Sequence, residues 1–131
     1  MIKFKTPYMN NPKEILIIDD DSRNIFALKA VLTAKKFKCV SAQSAEEGFR
    51  LLNSNKNIGL VLMDMMMPEM DGYQAIRTMK DDEELKNIPV IAITAQAMTG
   101  DREKCLAAGA DGYVSKPVNV DELLDILKRN N

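Results

Sequence analysis

The chain has 131 residues, 46% of them apolar and 28% charged, a size and composition suited to one globular domain with a single real core. Lysine plus arginine number 18 against 19 acids, a net charge of −1 that gives no reason to expect nucleic acid or an anionic membrane as partner. Histidine is absent, which excludes Ser-His-Asp and Cys-His nucleophile systems and histidine-ligated zinc within this chain, and with them any role as a phosphohistidine donor.

Cys39 and Cys105 stand alone without a CxxC neighbour, so they read as free thiols in a reducing compartment and as small core hydrophobes. The longest purely aliphatic run, Ile15 to Ile18, falls far short of a membrane span. The start of the chain shows no signal-peptide pattern. A cytoplasmic protein without membrane contact is the expectation.

Residues 1–13 carry two prolines and an Asn pair without periodicity and read as a tail or linker; the domain is expected over 14–131. Beyond Glu14, apolar runs at Ile15–Ile18, Lys38–Ala42, Ile58–Met63, Val90–Ile93 and Gly112–Val114 predict five strands. Several are continuous rather than alternating, the pattern of strands covered on both faces.

Helical signals lie between them. Ser22 is the expected cap of a helix carrying Ile25, Leu28, Val31 and Leu32. Ser44 with Glu47 makes a capping box, and Asp71 precedes a helix with Ile76 and Met79. A fourth helix is expected over about 99–108, stopped by Gly109. Asp121 and Glu122 open the last, which ends in Lys128 and Arg129 where the helix dipole favours cations. Strict alternation of five strands and five helices predicts an α/β, doubly wound parallel sheet of order 2-1-3-4-5.

Ligands of such sheets bind beyond the carboxyl ends of the strands. The residues there are Asp19, Asp20 and Asp21 after the first strand, Asp64 after the third, Thr94 after the fourth, and Lys116 with Pro117 after the fifth. Two carboxylates about 4 Å apart repel by roughly 4 kcal/mol at an effective dielectric near 20. One lysine cannot balance three such acids, so either some stay protonated or a cation shares the site. Oxygen-only ligands favour Mg²⁺, Mn²⁺ or Ca²⁺ over zinc. The plainer reading of the Asp triplet is helix capping. Neither GxGxxG nor GxxxxGK[ST] follows the first strand, which argues against a dinucleotide or P-loop enzyme.

Taken together, "ILIIDDDSRN", "VLMDMMMPEMDG", "IPVIAITAQA" and "AGADGYVSKPV" resemble the successive motifs of response-regulator receiver domains, over about Glu14 to Arg129. Any one of the four recurs by chance; four in sequence, each at a strand end, do not. The wording is closest to receivers of hybrid histidine kinases. The resemblance implies a flavodoxin-like fold and a phosphoacceptor of a two-component phosphorelay, with a histidine kinase or histidine phosphotransfer protein as donor. Homodimerisation is left open.

By similarity, Asp64 is the phosphoacceptor and Asp19, Asp20, Asp64 and the Met66 backbone carbonyl hold Mg²⁺, with Mn²⁺ as an alternative. Asp21 lies one place beyond the acidic pair and reads as a helix-start residue. Thr94 and Lys116 would hold phosphoryl oxygens, and Pro117 would be a cis-proline that aims the lysine inward. Thr94 and Tyr113 would form the switch: the phosphoryl group draws Thr94, and Tyr113 follows into the vacated space. The face of the fourth helix, fifth strand and fifth helix would change with it. A core role for Tyr113 is the alternative.

Met66 and Gln96 occupy positions that influence water access in the family, and an apolar Met66 suggests slow hydrolysis. The domain would catalyse only its own phosphorylation and dephosphorylation. Two rivals remain: a phosphorylation-independent pseudo-receiver, which should lack one of the acids or the lysine, and a metal-dependent phosphohydrolase. The latter would need an acid two residues after Asp64, where Met66 stands.

Overall fold

The computed structural model describes residues 13–68, 71–95 and 100–129. Within them lie β1 (Glu14–Ile18), α1 (Ser22–Ala34), β2 (Cys39–Ala42), α2 (Ala45–Ser54), β3 (Ile58–Asp64), α3 (Gly72–Lys80), β4 (Val90–Thr94), α4 (Asp101–Ala108), β5 (Gly112–Ser115) and α5 (Val120–Arg129). The tail expected over 1–13, apart from Lys13, lies outside the described residues, as do Gln96 and the expected start of the fourth helix at Thr99. The sheet order is β2-β1-β3-β4-β5, every pair parallel, as the alternation predicts.

The continuous apolar runs divide by residue parity. Ile15 and Ile17 of β1, Leu60 and Leu62 of β3, and Ile91 and Ile93 of β4 face one layer, where Ile25 and Leu32 of α1 and Leu123, Ile126 and Leu127 of α5 meet them. Leu16, Ile18, Val61, Met63, Val90 and Ala92 face the other, against Leu52 of α2, Ala75, Ile76 and Met79 of α3, and Cys105 and Ala108 of α4. A strand places successive side chains on opposite faces, so a strand with helices on both sides must be apolar at every position.

The helix ends explain where each element starts. Asp71 accepts from the amides of Tyr73 and Gln74 at 3.0 and 3.2 Å. Ser44 Oγ accepts from the Glu47 amide at 3.1 Å, while the Glu47 carboxylate reaches back to the Gln43 amide at 2.8 Å, one residue before the cap. One cap differs from the expectation. Asp21, not Ser22, caps α1: its backbone is extended, its carboxylate accepts from the Arg23 amide at 2.9 Å, and Ser22 is already helical. For α5, Asn119 Oδ1 accepts from the Glu122 amide at 2.9 Å, so the acids that open the helix are first-turn residues and not the cap. Gly109 ends α4 at φ 117, a conformation glycine adopts without penalty.

At the amino edge of the sheet, away from the strand ends that carry the acids, Lys80 forms a staple. Its Nζ donates to Asp111 Oδ2 at 2.8 Å, to the Ile88 carbonyl at 3.0 Å and to the Lys86 carbonyl at 3.3 Å. Asp111 Oδ2 also accepts from the Val90 amide at 2.9 Å, so one lysine ties the end of α3 to the starts of β4 and β5. A Lys80→Met variant keeps the aliphatic stem and loses these charge-assisted bonds. It is expected to unfold at lower urea concentration, by about 2 kcal/mol with an unchanged denaturant slope. A shift below a few tenths of a kcal/mol would reduce the staple to a surface ornament.

Candidate functional site

The parallel order brings the carboxyl ends of β1 and β3 side by side, at the place where the chain reverses its winding direction. Asp19, directly after β1, is 3% exposed, and Asp64, the last residue of β3, is 4% exposed. Both are held by local amides: Asp19 Oδ1 accepts from Asp21 N at 2.9 Å, and Asp64 Oδ1 accepts from Met66 N at 2.9 Å. Asp20 is exposed at the mouth of the same site. One carboxylate oxygen from each of Asp19, Asp20 and Asp64 lies within 4.8 Å of the others.

Lys116 reaches this cluster from beyond β5, its Nζ 3.4 Å from Asp64 Oδ2 and 3.9 Å from Asp19 Oδ2. Its amide donates to the Thr94 carbonyl at 2.8 Å, which fixes the root of the lysine to the end of β4. The Lys116–Pro117 peptide bond is cis. Thr94 itself is buried at the end of β4, 1% exposed. Asp21 stands apart: it caps α1 and pairs with Arg23 at 3.2 Å, and the hydrogen bonds from Arg23 hold its carboxyl below the ordinary value.

Of the methionines after β3, Met65 and Met67 are buried and Met66 is 41% exposed. The close seat of Met65 explains Gly72 at the start of α3, because a Cβ there would come within 2.7 Å of the Met65 sulfur. Next to Asp20, an open cleft of about 460 Å³ runs between the β2–α2 and β3–α3 connections, lined by Ser44, Glu46, Met67 and Pro68.

The electrostatics are unbalanced. Burial raises the Asp19 carboxyl above its ordinary 3.8; the Asp21 amide opposes this, the Asp64 charge adds to it, and Lys116 lowers it again. One ammonium faces three carboxylates. The donor set is all oxygen and in charge excess, which suits a small hard divalent cation.

That geometry belongs to a known family, and the comparisons agree. The family model of the response regulator receiver domain matches residues 15–128. The chain belongs to that family. It is 33% identical over 117 residues to the polar-differentiation response regulator DivK of Brucella anthropi, covering 89% of this chain and 94% of the relative. Among solved structures, the receiver domain of the sensor histidine kinase PA1611 from Pseudomonas aeruginosa, with a magnesium ion coordinated in its active-site cleft, superposes with a TM-score of 0.80. It is 33% identical, with 92% of this chain and 98% of that one covered. A response regulator from Chloroflexus aurantiacus gives a TM-score of 0.85 at 28% identity, covering 91% and 97%. This receiver domain is therefore a two-component signalling module, and no helix among its described residues is long and apolar enough to cross a membrane.

The receiver domain brings Asp19, Asp20, Asp64 and Lys116 into one site, with Thr94 at the adjoining strand end. Two residues that the sequence pattern did not single out sit near Tyr113: Asp101 of α4 and Tyr73 of α3. The Tyr73 hydroxyl donates to Asp101 Oδ1 at 2.6 Å and the Tyr113 hydroxyl to Asp101 Oδ2 at 3.1 Å. The signal was present: Asp101 shares a helical stripe with the buried Cys105 and Ala108, an acid where an apolar residue belongs.

The raised Asp19 value gives a prediction with a definite sign. The folded chain binds this proton more tightly than the unfolded chain, so in metal-free buffer Asp19 costs stability as pH rises through the window above 3.8. An Asp19→Asn variant lacks that cost. Its stability relative to wild type is expected to increase over that window, and added Mg²⁺ should narrow the gap by stabilising wild type alone. Urea titrations across pH, with EDTA and with Mg²⁺, measure it; a pH-independent difference would contradict the assignment.

Proposed function

We propose that this receiver domain, residues 14–131 with 1–13 as its tail, is a cytoplasmic phosphoacceptor that takes a phosphoryl group from a phosphohistidine onto Asp64. The observation that carries this is a buried carboxylate at the end of β3 with two further acids and one lysine around it. Asp64 is a nucleophile held in place: the Met66 amide fixes one oxygen and Lys116 faces the other. In the transfer an Asp64 oxygen bonds to phosphorus as the N–P bond breaks, and the electron pair returns to the imidazole of the donor.

Asp19, Asp20, Asp64 and the Met66 carbonyl are the residues that would hold Mg²⁺, and the receiver of Pseudomonas aeruginosa PA1611 carries that ion in its cleft. When bound, the ion supplies positive charge to the oxygens of the transferring group. Lys116 supplies a second positive charge from the β5 side, and the Thr94 hydroxyl supplies a hydrogen-bond donor from β4. The phosphoryl group brings roughly −1.5 to −2 charges into the site. Thr94 is drawn toward that charge, Tyr113 follows, and the face of α4, β5 and α5 presents a second arrangement to partners. Met66, two residues after Asp64 and with its side chain exposed, offers no polar group to orient water, which supports slow loss of the acyl phosphate.

The partners this reading names are a histidine kinase or a histidine phosphotransfer protein. Incubation with acetyl phosphate and Mg²⁺, followed by intact mass, is expected to add one phosphoryl group to wild type, none to Asp64→Ala, and none in EDTA. Labelling of the alanine variant equal to wild type would remove Asp64 from the chemistry, and undiminished labelling in EDTA would remove the metal. A Met66→Asn variant should lose its phosphoryl group at least severalfold faster, because a polar side chain admits and orients water where a thioether does not.

A further inference from the structure

Helix α4 is attached to the domain in an unusual way. Its buried stripe is Asp101, Cys105 and Ala108, an acid and two small residues, whereas α3 buries Ile76 and Met79 and α5 buries Leu123, Ile126 and Leu127. Leu106, the one large aliphatic of α4, is 40% exposed. Among the described residues, the apolar side chains that α4 buries, Cys105 and Ala108, are small, and a polar contact adds to what they hold. Asp101 is 7% exposed and its two carboxylate oxygens each accept one tyrosine hydroxyl, Tyr73 from α3 at 2.6 Å and Tyr113 from β5 at 3.1 Å.

Both tyrosines are rooted in elements that lead to the phosphorylation site. Tyr73 is the second residue of α3, just beyond the connection that follows Asp64; Tyr113 lies three residues before Lys116. Lys104 Nζ covers the Tyr73 ring at 5.3 Å from its centre. The titration behaviour of the cluster agrees with the geometry. The Asp101 hydrogen bond is the largest cause of a strongly raised Tyr73 hydroxyl, burial and then Asp101 raise Tyr113, and burial and then Asp101 push the Cys105 thiol up to about 11.

We propose that Asp101 is a positioning residue that fastens α4 through the Tyr73 and Tyr113 hydroxyls, so that displacement of Tyr113 releases the helix. This rests on the reading above, in which phosphorylation of Asp64 moves Tyr113. In the arrangement described, both oxygens of a buried carboxylate have a donor. When Tyr113 leaves, one buried oxygen loses its donor, and such a loss costs more than the bond itself contributed. The helix then moves to rehydrate the carboxylate, since no large hydrophobic side chain in its buried stripe opposes this.

Hydrogen exchange of residues 101–108, followed by mass spectrometry without phosphodonor, tests the fastening. Tyr113→Phe is expected to speed α4 exchange about tenfold, the equivalent of one lost hydrogen bond, and Asp101→Ala, which loses both tyrosine bonds, by more than that, with β1 and β3 unchanged. The double variant should exchange no faster than the faster single one, because both remove the same bond. Unchanged α4 exchange in Asp101→Ala, or effects that multiply in the double variant, would overturn the proposal. Should Asp101→Ala fail to fold, Tyr73→Phe and Tyr113→Phe decide alone: each should speed α4 exchange and leave the central strands protected, and no effect from either overturns it.

Acetyl phosphate with Mg²⁺ then tests the coupling. Wild type should gain both phosphoryl mass and faster α4 exchange. Asp101→Ala should gain the mass with little further change in α4; a further rise equal to that of wild type would sink the coupling. Absence of phosphoryl mass in wild type would instead refute the phosphoacceptor reading, and the donor-free exchange would still decide the clamp.

Discussion

Asp19 and Asp64 end neighbouring strands of a parallel sheet, almost completely buried, with their carboxylates facing one lysine between them. At about 4 Å and an effective dielectric near 20, each pair of such charges repels by roughly 4 kcal/mol, a sizeable part of what a domain of this size has in hand. The sheet tolerates this because the backbone leaves no choice: β1 and β3 are adjacent in the order 2-1-3-4-5, and the acids sit at register positions the strands fix. Amides from Asp21 and Met66 and the ammonium of Lys116 offset part of the repulsion, and the remaining charge excess is what the proposed cation would neutralise. Stability and function are thus opposed at one place, as at other sites where burial and like charges perturb titration.

From that constraint the rest of the architecture follows. Helices on both sides exclude water from the strands, so the apolar parity of β1, β3 and β4 supplies the cohesion that the acidic edge subtracts. The two ends of the sheet have different characters. At the amino edge, Lys80 and Asp111 satisfy one another and three backbone groups. At the carboxyl edge Asp19 and Asp64 share one lysine, with Asp20 beside them. A fold that is fully satisfied at one end can hold the other end unsatisfied, in register, and ready for a ligand.

Most of this was legible in the sequence because it depends on period and position. The strands were recognisable as continuous aliphatic runs, Asp71 and Ser44 cap where their spacing says they should, and a parallel sheet covered on both faces followed from alternation with right-handed crossovers. Asp19, Asp64 and Thr94 were findable because each is the first polar residue after an apolar run, and Asp20 and Lys116 because each lies one place further on. What was not legible depends on local geometry and on contacts between distant segments. Ser22 and Asp21 are both good caps, and only the backbone angle of Asp21 decides between them. Asn119 looks like a loop residue until its carbonyl oxygen meets the Glu122 amide. Asp101 lies 28 residues from Tyr73 and 12 from Tyr113, and no periodicity links the three.

That last cluster bears on how a small charge can move a helix. A helix held by Ile, Leu or Met side chains resists displacement in proportion to the area it buries, and a single hydrogen bond changes little against that. The buried stripe of α4 has an acid and two small residues in that place, so its attachment is short-range, directional and dependent on two hydroxyls. Directional contacts break within a fraction of an ångström, whereas apolar contact area falls off gradually. A helix fastened in the first way has two discrete positions and few between them. The cost is a buried carboxylate that depends on two tyrosine hydroxyls for its hydrogen bonds. An apolar residue at position 101 would bury more area and would give up both hydroxyl contacts.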